Sequence, residues 1–220
     1  MKKIYAVNGS CRNNFNTAKV LQSALNGAAA AGADTELINL GDYNFSPCRS
    51  CMMCKRKSAI ANPLCAWQDE LQPLLQKLLD ADGIIMGSPV YFGNASALFR
   101  AFMERFYFAL LRYTDPPESK LKKAIPAAMI WTMNVPENMI SEMNYPQELG
   151  RIAEFTQLIL KNENVETLYV CDTYQFSDYA QYDAAWFDVT HKDAVHKELF
   201  PQDLAKAYAL GERMASGLES

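Results

Sequence analysis

Five short apolar segments recur along this chain, and each is followed by a stretch with helical periodicity. The segments are "KKIYAVNG" (2–9), "DTELINL" (34–40), "DGIIMGSP" (82–89), "KKAIPAAMIWTM" (122–133) and "NVETLYVCDT" (164–173). Between them, Leu21, Leu25 and Ala28 form one stripe that stops near Gly32, and Leu71, Leu74, Leu75, Leu78 and Leu79 form a second. A long apolar block covers Ser96 to Leu111, and a fourth helix over 147–163 is expected to turn Ile152, Phe155 and Ile159 inward. Short strands without a polar face, alternating with amphipathic helices, predict an α/β fold: a parallel sheet covered by helices on both sides, because each crossover must bury one stripe of helix. Five such strands suit the order 2-1-3-4-5, which reverses direction beside the first strand.

The chain has 220 residues, half of them apolar, enough for one ordinary core and too few for two large ones. The expectation is a single domain over 1–220, with a cysteine loop at 46–65 and a C-terminal tail and helix at 174–220. The formal charge of −4, with no basic run longer than "KRK" at 55–57, gives no footprint for nucleic acid. No apolar run reaches the roughly 18 to 20 residues that cross a bilayer, so no membrane partner is expected. The N-terminus lacks the apolar run of a secretory leader, which points to a cytoplasmic, reducing setting and away from structural disulfides.

In an open parallel sheet, ligands bind at the carboxyl ends of strands where the order reverses. The loop after the first strand reads "NGSCRNNFNT" (8–17), which is neither G-x-G-x-x-G nor a P-loop. Ser10, Asn14, Asn16 and Thr17 offer neutral donors, Arg12 a cation, and the following helix its free amides, a combination suited to one terminal phosphate. The plainer alternative is a polar turn in which Asn16 or Thr17 only caps the helix. Four of six cysteines stand within twenty residues: Cys48, Cys51 and Cys54 spaced C-x2-C-x2-C, then Cys65. Three readings are open: a 4Fe-4S cluster, a closed zinc site, or thiols without metal. Cys11 and Cys171 lie apart and are not expected to ligate, and His191 and His196 are expected to be surface residues.

"GSCRNNFNT" resembles the phosphate loop of the NADPH-dependent FMN reductase family, Gly-Ser-x-Arg-x-x-(Ser/Gly)-Asn-Thr, with Gly9, Ser10, Arg12, Asn16 and Thr17 in register and Phe15 where a small residue is usual. "GSPVYFGNASALFRAFMERF" (87–106) is similar to the family's second flavin loop, matching at Gly87, Ser88, Pro89, Tyr91, Gly93, Ser96, Phe102 and Arg105, with Arg100 for a lysine. The resemblance implies a flavodoxin-like three-layer sandwich that binds FMN. Pro89, Val90, Tyr91, Phe92, Gly93 and Asn94 would face the flavin ring, and Thr132 and Asn134 would reach it from the loop after strand four. Cys48, Cys51 and Cys54 also resemble the pattern of the iron-sulfur flavoprotein branch, with Cys65 as the fourth ligand across an inserted "KRKSAIANPL". The implied activity is an oxidoreductase that takes a hydride from NADPH or NADH and passes electrons to an unidentified acceptor. An electron carrier without nicotinamide turnover and a zinc or thiol redox sensor are the alternatives. Family members commonly pair, and the apolar block at 96–111 points to a homodimer or tetramer.

Overall fold

The computed structural model describes residues 1–217, so the last three positions of the expected tail lie outside the described residues. Strand β1 (Lys3–Asn8) is followed by helix α1 (Asn16–Ala30) and β2 (Asp34–Asn39), then, after a long crossover, by α2 (Leu71–Leu79) and β3 (Gly83–Tyr91). A two-residue β4 (Asn94–Ala95) leads into α3 (Ala97–Leu110), and a small hairpin of β5 (Leu111–Arg112) and β6 (Glu118–Ser119) precedes β7 (Ala127–Thr132). Then come α4 (Tyr145–Leu160), β8 (Glu166–Val170), α5 (Val189–Glu198) and α6 (Phe200–Ser216).

Five strands pair in parallel in the order β2-β1-β3-β7-β8, the predicted 2-1-3-4-5. The register aligns Asn8 with Asn39 on one side and with Gly87 on the other. β3 therefore runs four residues past the end of β1 before it folds back on β4 as an antiparallel hairpin. That overhang makes a step in the sheet where the strand order reverses, and the step is where a ligand can sit.

Two apolar cores cover the faces. Leu71, Leu75 and Leu78 of α2, Phe99, Phe102 and Phe106 of α3, and Leu149, Ile152 and Ile159 of α4 fill one. Leu21 and Leu25 of α1 with Ala207 and Leu210 of α6 fill the other. Each fully buried large apolar side chain contributes about 1.5–3 kcal/mol, so α3 is fixed mainly by its phenylalanines. Helices α1 and α6 touch backbone to backbone: a Cβ at Gly27 would lie 1.9 Å from the Tyr208 carbonyl oxygen, and one at Gly211 only 1.8 Å from that of Ala24. Only glycine allows this approach, which locks the carboxyl-terminal helix onto the helix that begins at the candidate phosphate loop.

Three sequence expectations change. Phe155 does not face inward but is 61 % exposed. Thr156 takes the buried stripe instead, because its hydroxyl lies 2.7 Å from both the Tyr107 hydroxyl and the Ile152 carbonyl. The tail holds two helices rather than one: α5 starts where the Asp188 carboxylate accepts from the His191 amide, and buries only Lys192 and Val195. The apolar surplus of 96–111 is largely consumed within the chain, since Phe99, Phe102, Phe106, Tyr107 and Leu110 are all buried. Among the described residues no helix is long and apolar enough to cross a membrane.

Candidate functional site: a cleft at the sheet switch point and an adjoining cysteine cavity

The loop after β1 is built on Asn8, which is fully buried. Its side-chain oxygen accepts from the Ser10 amide at 3.0 Å while its amide group donates to Asn39 at 3.0 Å. The Ser10 hydroxyl in turn accepts from the Arg12 amide. The turn thus wraps toward α1, whose N-cap is Phe15 with no side-chain cap, so the first-turn amides of α1 remain for a ligand. Neither Asn16 nor Thr17 serves as the cap. The Asn16 amide donates to the Tyr174 carbonyl at 2.7 Å, and the Thr17 hydroxyl lies 2.7 Å from that of Thr132. Arg12 donates to the Gln175 carbonyl at 2.9 Å and stacks 3.8 Å over the Phe15 ring, so Phe15 supports the arginine.

The loop after β3 is bolted to the loop after β1 by two buried serines. The Ser96 hydroxyl caps α3, accepting from the Phe99 amide, and donates to the Gly9 carbonyl at 2.6 Å. The Ser96 amide donates to Ser88 at 2.9 Å. A Cβ at Gly9 would lie 2.6 Å from that of Phe99, which accounts for the glycine. At the hairpin tip, Phe92 and Gly93 both have positive φ, 50° and 77°, the geometry of a tight two-residue turn.

These elements enclose one cleft. Its floor and walls come from Ser10, Arg12, Asn16 and Thr17 on the first loop, from Pro89, Val90 and Tyr91 on β3, and from Thr132 and Asn134 after β7. Four expected residues lie elsewhere. Asn14 faces a separate outer hollow beside Lys19 and Tyr182. Phe92 and Gly93 form the hairpin tip, where the Phe92 ring is fully exposed rather than packed in the core. Asn94 accepts from Arg100 at 2.9 Å and faces a groove between α3 and α4.

The cleft also has a wall that the sequence reading did not contain, Thr173, Tyr174 and Gln175 after β8. Asp172 at its base has a positive φ of 55° and is paired with the buried Lys192, which also donates to the Asn134 carbonyl at 2.9 Å. Burial pushes the Asp172 carboxyl up, but hydrogen bonds from Lys192 and His191 outweigh it and hold the group below its ordinary range. His191 is exposed, as expected, and its ring nitrogen lies 2.6 Å from the Asp172 carboxylate.

The crossover from β2 to α2 carries the cysteines. It runs through three short 3-10 turns, Leu40–Asp42, Met53–Lys55 and Lys57–Ala59. Ser50 and Met52, on either side of Cys51, adopt left-handed backbone with φ of 52° and 56°. Two such residues in a C-x2-C-x2-C run are strained unless the surroundings enforce them. Cys48, Cys51, Cys54 and Cys65 all line one cavity against Glu104, Arg105 and Phe108 of α3. The chain from Cys54 to Cys65 returns because Lys120 gathers it, donating to the carbonyls of Cys54 at 2.6 Å, Ala59 at 3.1 Å and Asn62 at 3.2 Å.

Arg105 closes the other end of that loop, with a guanidinium that forks onto Asp69 at 2.7 and 3.1 Å. Burial raises the Asp69 carboxyl, but the Arg105 hydrogen bond and charge outweigh it and hold the group below the usual range. Burial also pushes the Cys54 thiol up, with Lys55 and Lys120 pulling the other way. Cys171 stands apart, partly buried against the core that α2, α3 and α4 fill, its thiol pushed up to about 12 chiefly by burial, and it does not line the cavity. Among the described residues no three cysteine, histidine, aspartate or glutamate side chains converge on a point that could hold one metal ion.

Comparison with known proteins follows the same division. An iron-sulfur flavoprotein of Methanocaldococcus jannaschii is 41 % identical over 103 residues, covering 47 % of this chain and 51 % of that protein. One of Methanosarcina thermophila is 31 % identical over 103 residues, with the same coverage. The chain thus spans about half the length of the curated relatives it matches. Among solved structures, an NAD(P)H:quinone oxidoreductase from Methanothermobacter marburgensis superposes with a TM-score of 0.71 at 12 % identity, over 97 % of this chain and 98 % of that one. An azoreductase from Bacillus anthracis gives 0.69 at 14 %, over 97 % and 100 %. At these identities the likeness establishes the fold, a flavodoxin-like sandwich. Residues 2–134, which include the cysteine loop and three of the four walls of the cleft, match the family model described as NADPH-dependent FMN reductase, and the chain belongs to that family.

Proposed function

We propose that this chain is an FMN-dependent NAD(P)H oxidoreductase that takes a hydride from NADPH or NADH and delivers electrons to an acceptor through a 4Fe-4S cluster in the cysteine cavity. The observation that carries the reading is the convergence of three loops, after β1, β3 and β7, on one cleft at the switch point of the sheet. When bound, FMN supplies the hydride-accepting and single-electron chemistry, so the protein need only hold, orient and shield it.

The uncapped amides of α1, with Ser10, Arg12 and Asn16, suit a terminal phosphate. Pro89 to Tyr91 offer backbone groups to a ring edge, and the paired hydroxyls of Thr17 and Thr132 fix the cleft between them. Nothing in the cleft resembles an acid–base pair, which agrees with chemistry carried by a cofactor.

The residues of the second cavity suit a cluster: Cys48, Cys51, Cys54 and Cys65 all line it, and four thiolates are the usual ligand set of a 4Fe-4S centre. Four thiolates also make a closed zinc site, so metal analysis is part of the test.

The same reading has two copies of the chain pair over the groove between α3 and α4. Apolar Met103, Ile152 and Phe155 line it, with Arg100 and Arg151 beside Glu104 and Glu148, so a two-fold axis can match unlike charges. Light scattering that finds a stable monomer at micromolar concentration removes this part.

The main test is an anaerobic absorption spectrum of purified protein with flavin, iron, sulfide and zinc analysis, followed by addition of NADPH. Stoichiometric FMN that bleaches with NADPH, together with iron and sulfide near four each, is the expected outcome. Protein without flavin sinks the reading, zinc in place of iron points to the sensor alternative, and flavin that NADPH fails to bleach points to the electron carrier.

A further inference from the structure

We propose that Arg105 is the positioning residue of the cysteine site: it ties the two ends of the loop together and aims its remaining N–H at Cys65, making that sulfur the one ligand tuned by a charged donor. This rests on the cluster reading above. Arg105 is 2 % exposed, yet all five of its N–H groups are used. One terminal nitrogen donates to the Ser46 carbonyl at 3.0 Å and to Asp69, the other to the Trp67 carbonyl at 3.0 Å and to Asp69. Ser46 precedes Cys48 and Trp67 follows Cys65, so a single planar group joins the chain entering the cysteine loop to the chain leaving it. The fifth donor, Nε, points at Cys65 Sγ at 3.0 Å. Among the described residues no other cysteine sulfur accepts a hydrogen bond. The preceding residue on α3 assists at the other end, since the Glu104 carboxylate accepts from the Cys48 amide at 3.3 Å.

The geometry requires arginine. A lysine at this position could supply one ammonium to Asp69 but could not make a bidentate fork, reach two carbonyls and present an N–H to sulfur together. Groups that hold a ligand from behind govern both affinity for the metal and its electronics. A hydrogen bond to a ligating sulfur withdraws charge from it and favours the reduced state of a cluster, raising its potential. Arg105 also stands in the second flavin-loop motif, so one helix, α3, begins at the cleft with Ser96 and two turns later seats the cysteine loop.

Wild type, Arg105→Lys and Asp69→Asn decide the matter, each prepared anaerobically. The readouts are FMN content as a check of the fold, iron affinity, cluster potential, and iodoacetamide labelling of Cys65 in iron-free protein with exposed Cys11 as the internal reference. In Arg105→Lys we expect FMN to be retained, iron affinity to fall about 10- to 100-fold, the potential to drop, and Cys65 to label faster relative to Cys11. Asp69→Asn, which breaks the fork and leaves the Nε–sulfur bond, should lose iron affinity with its potential unchanged. An unchanged potential in Arg105→Lys would overturn the proposal, because it would mean that Arg105 only clamps the loop and its Nε–H does not tune the Cys65 sulfur. If Arg105→Lys fails to retain FMN, Asp69→Asn decides: wild-type iron affinity and wild-type Cys65 labelling overturn the proposal. Wild-type protein that never takes up iron sinks the cluster reading instead, and the Cys65 labelling rates still decide whether Arg105 holds that sulfur.

Discussion

The cleft and the cysteine cavity stand on opposite construction principles although α3 serves both. The cleft is assembled from the ends of strands, with backbone groups, hydroxyls and amides held by the register of the sheet, and its parts come from residues as far apart as Ser10 and Gln175. The cavity belongs to one crossover loop that no strand supports, and its shape depends on a buried ion pair and one lysine that gathers carbonyls. A site held by the sheet should degrade gradually when single contacts are removed, whereas a site held by two charged side chains, Arg105 and Lys120, should fail when either is lost.

The sharpest break is therefore Arg105→Met. It leaves Asp69, only 13 % exposed at its side chain, as a charge without its partner. Removing one member of a buried pair typically costs about 3–5 kcal/mol, and urea unfolding monitored by tryptophan emission reads the loss directly. A fall below about 1 kcal/mol would mean that solvent already screens the pair, as at a surface bridge, and the contrast between the two regions would weaken. Gly211→Ala attacks the other region. Its new methyl would sit 1.8 Å from the Ala24 carbonyl oxygen, so α6 and α1 must separate, at a cost of roughly 2–3 kcal/mol. Because α1 begins at the cleft and has no part in the cysteine loop, flavin retention should suffer while iron retention holds.

The same contrast explains what the sequence made readable. The five strands and the helices α1 to α3 followed from apolar spacing alone, because burial drives them. Helix α5 was invisible to that criterion, since only Lys192 and Val195 are buried and its start depends on the Asp188 cap. Phe155 was misplaced because periodicity ranks a phenylalanine above a threonine, while the hydroxyl of Tyr107 needed Thr156 as its partner. In the cleft, two loops carried local motifs and were legible. The wall at Thr173 to Gln175 was not, because it is joined by bonds from Arg12 and Asn16 to backbone carbonyls, which leave no mark on side-chain identity. The cysteine spacing was legible and the resemblance named Cys65 as the fourth member, but what brings Cys65 back was not: it depends on Lys120 and on Arg105, whose place in the sequence suggested the flavin loop.

Smaller effects refine the picture within the cleft. Thr132→Val removes the hydroxyl opposite Thr17 and leaves a buried donor without its partner, a loss of about 1–2 kcal/mol. Most of it should be read as weaker FMN retention, with iron content unchanged. Equal loss of iron and flavin would contradict the separation of the two sites.

The smallest expected effect is a difference in acid response. His196 stacks on Tyr174, a cleft residue, with ring centroids 4.2 Å apart, and on Phe200 at 5.4 Å. Burial holds the imidazole below its ordinary value, helped by the positive charge of Lys19 and opposed by Asp193. The folded protein therefore favours neutral His196. Its unfolded state takes up a proton near pH 6.5, so this stabilisation is complete above about pH 6.5 and declines as pH falls below it. Asp69 behaves differently: its folded carboxyl is held low, so its contribution persists down to its unfolded value near 3.9 and is lost only as pH falls further. Between pH 7.5 and 5.5 the wall beside Tyr174 should loosen while the cysteine loop stays as it was. Thermal unfolding of metal-free protein across this range should show a modest fall in Tm that His196→Phe flattens, because phenylalanine keeps the stack and has no proton to gain. An unchanged slope in that variant would move the acid sensitivity away from the Tyr174 wall and remove this distinction between the two sites.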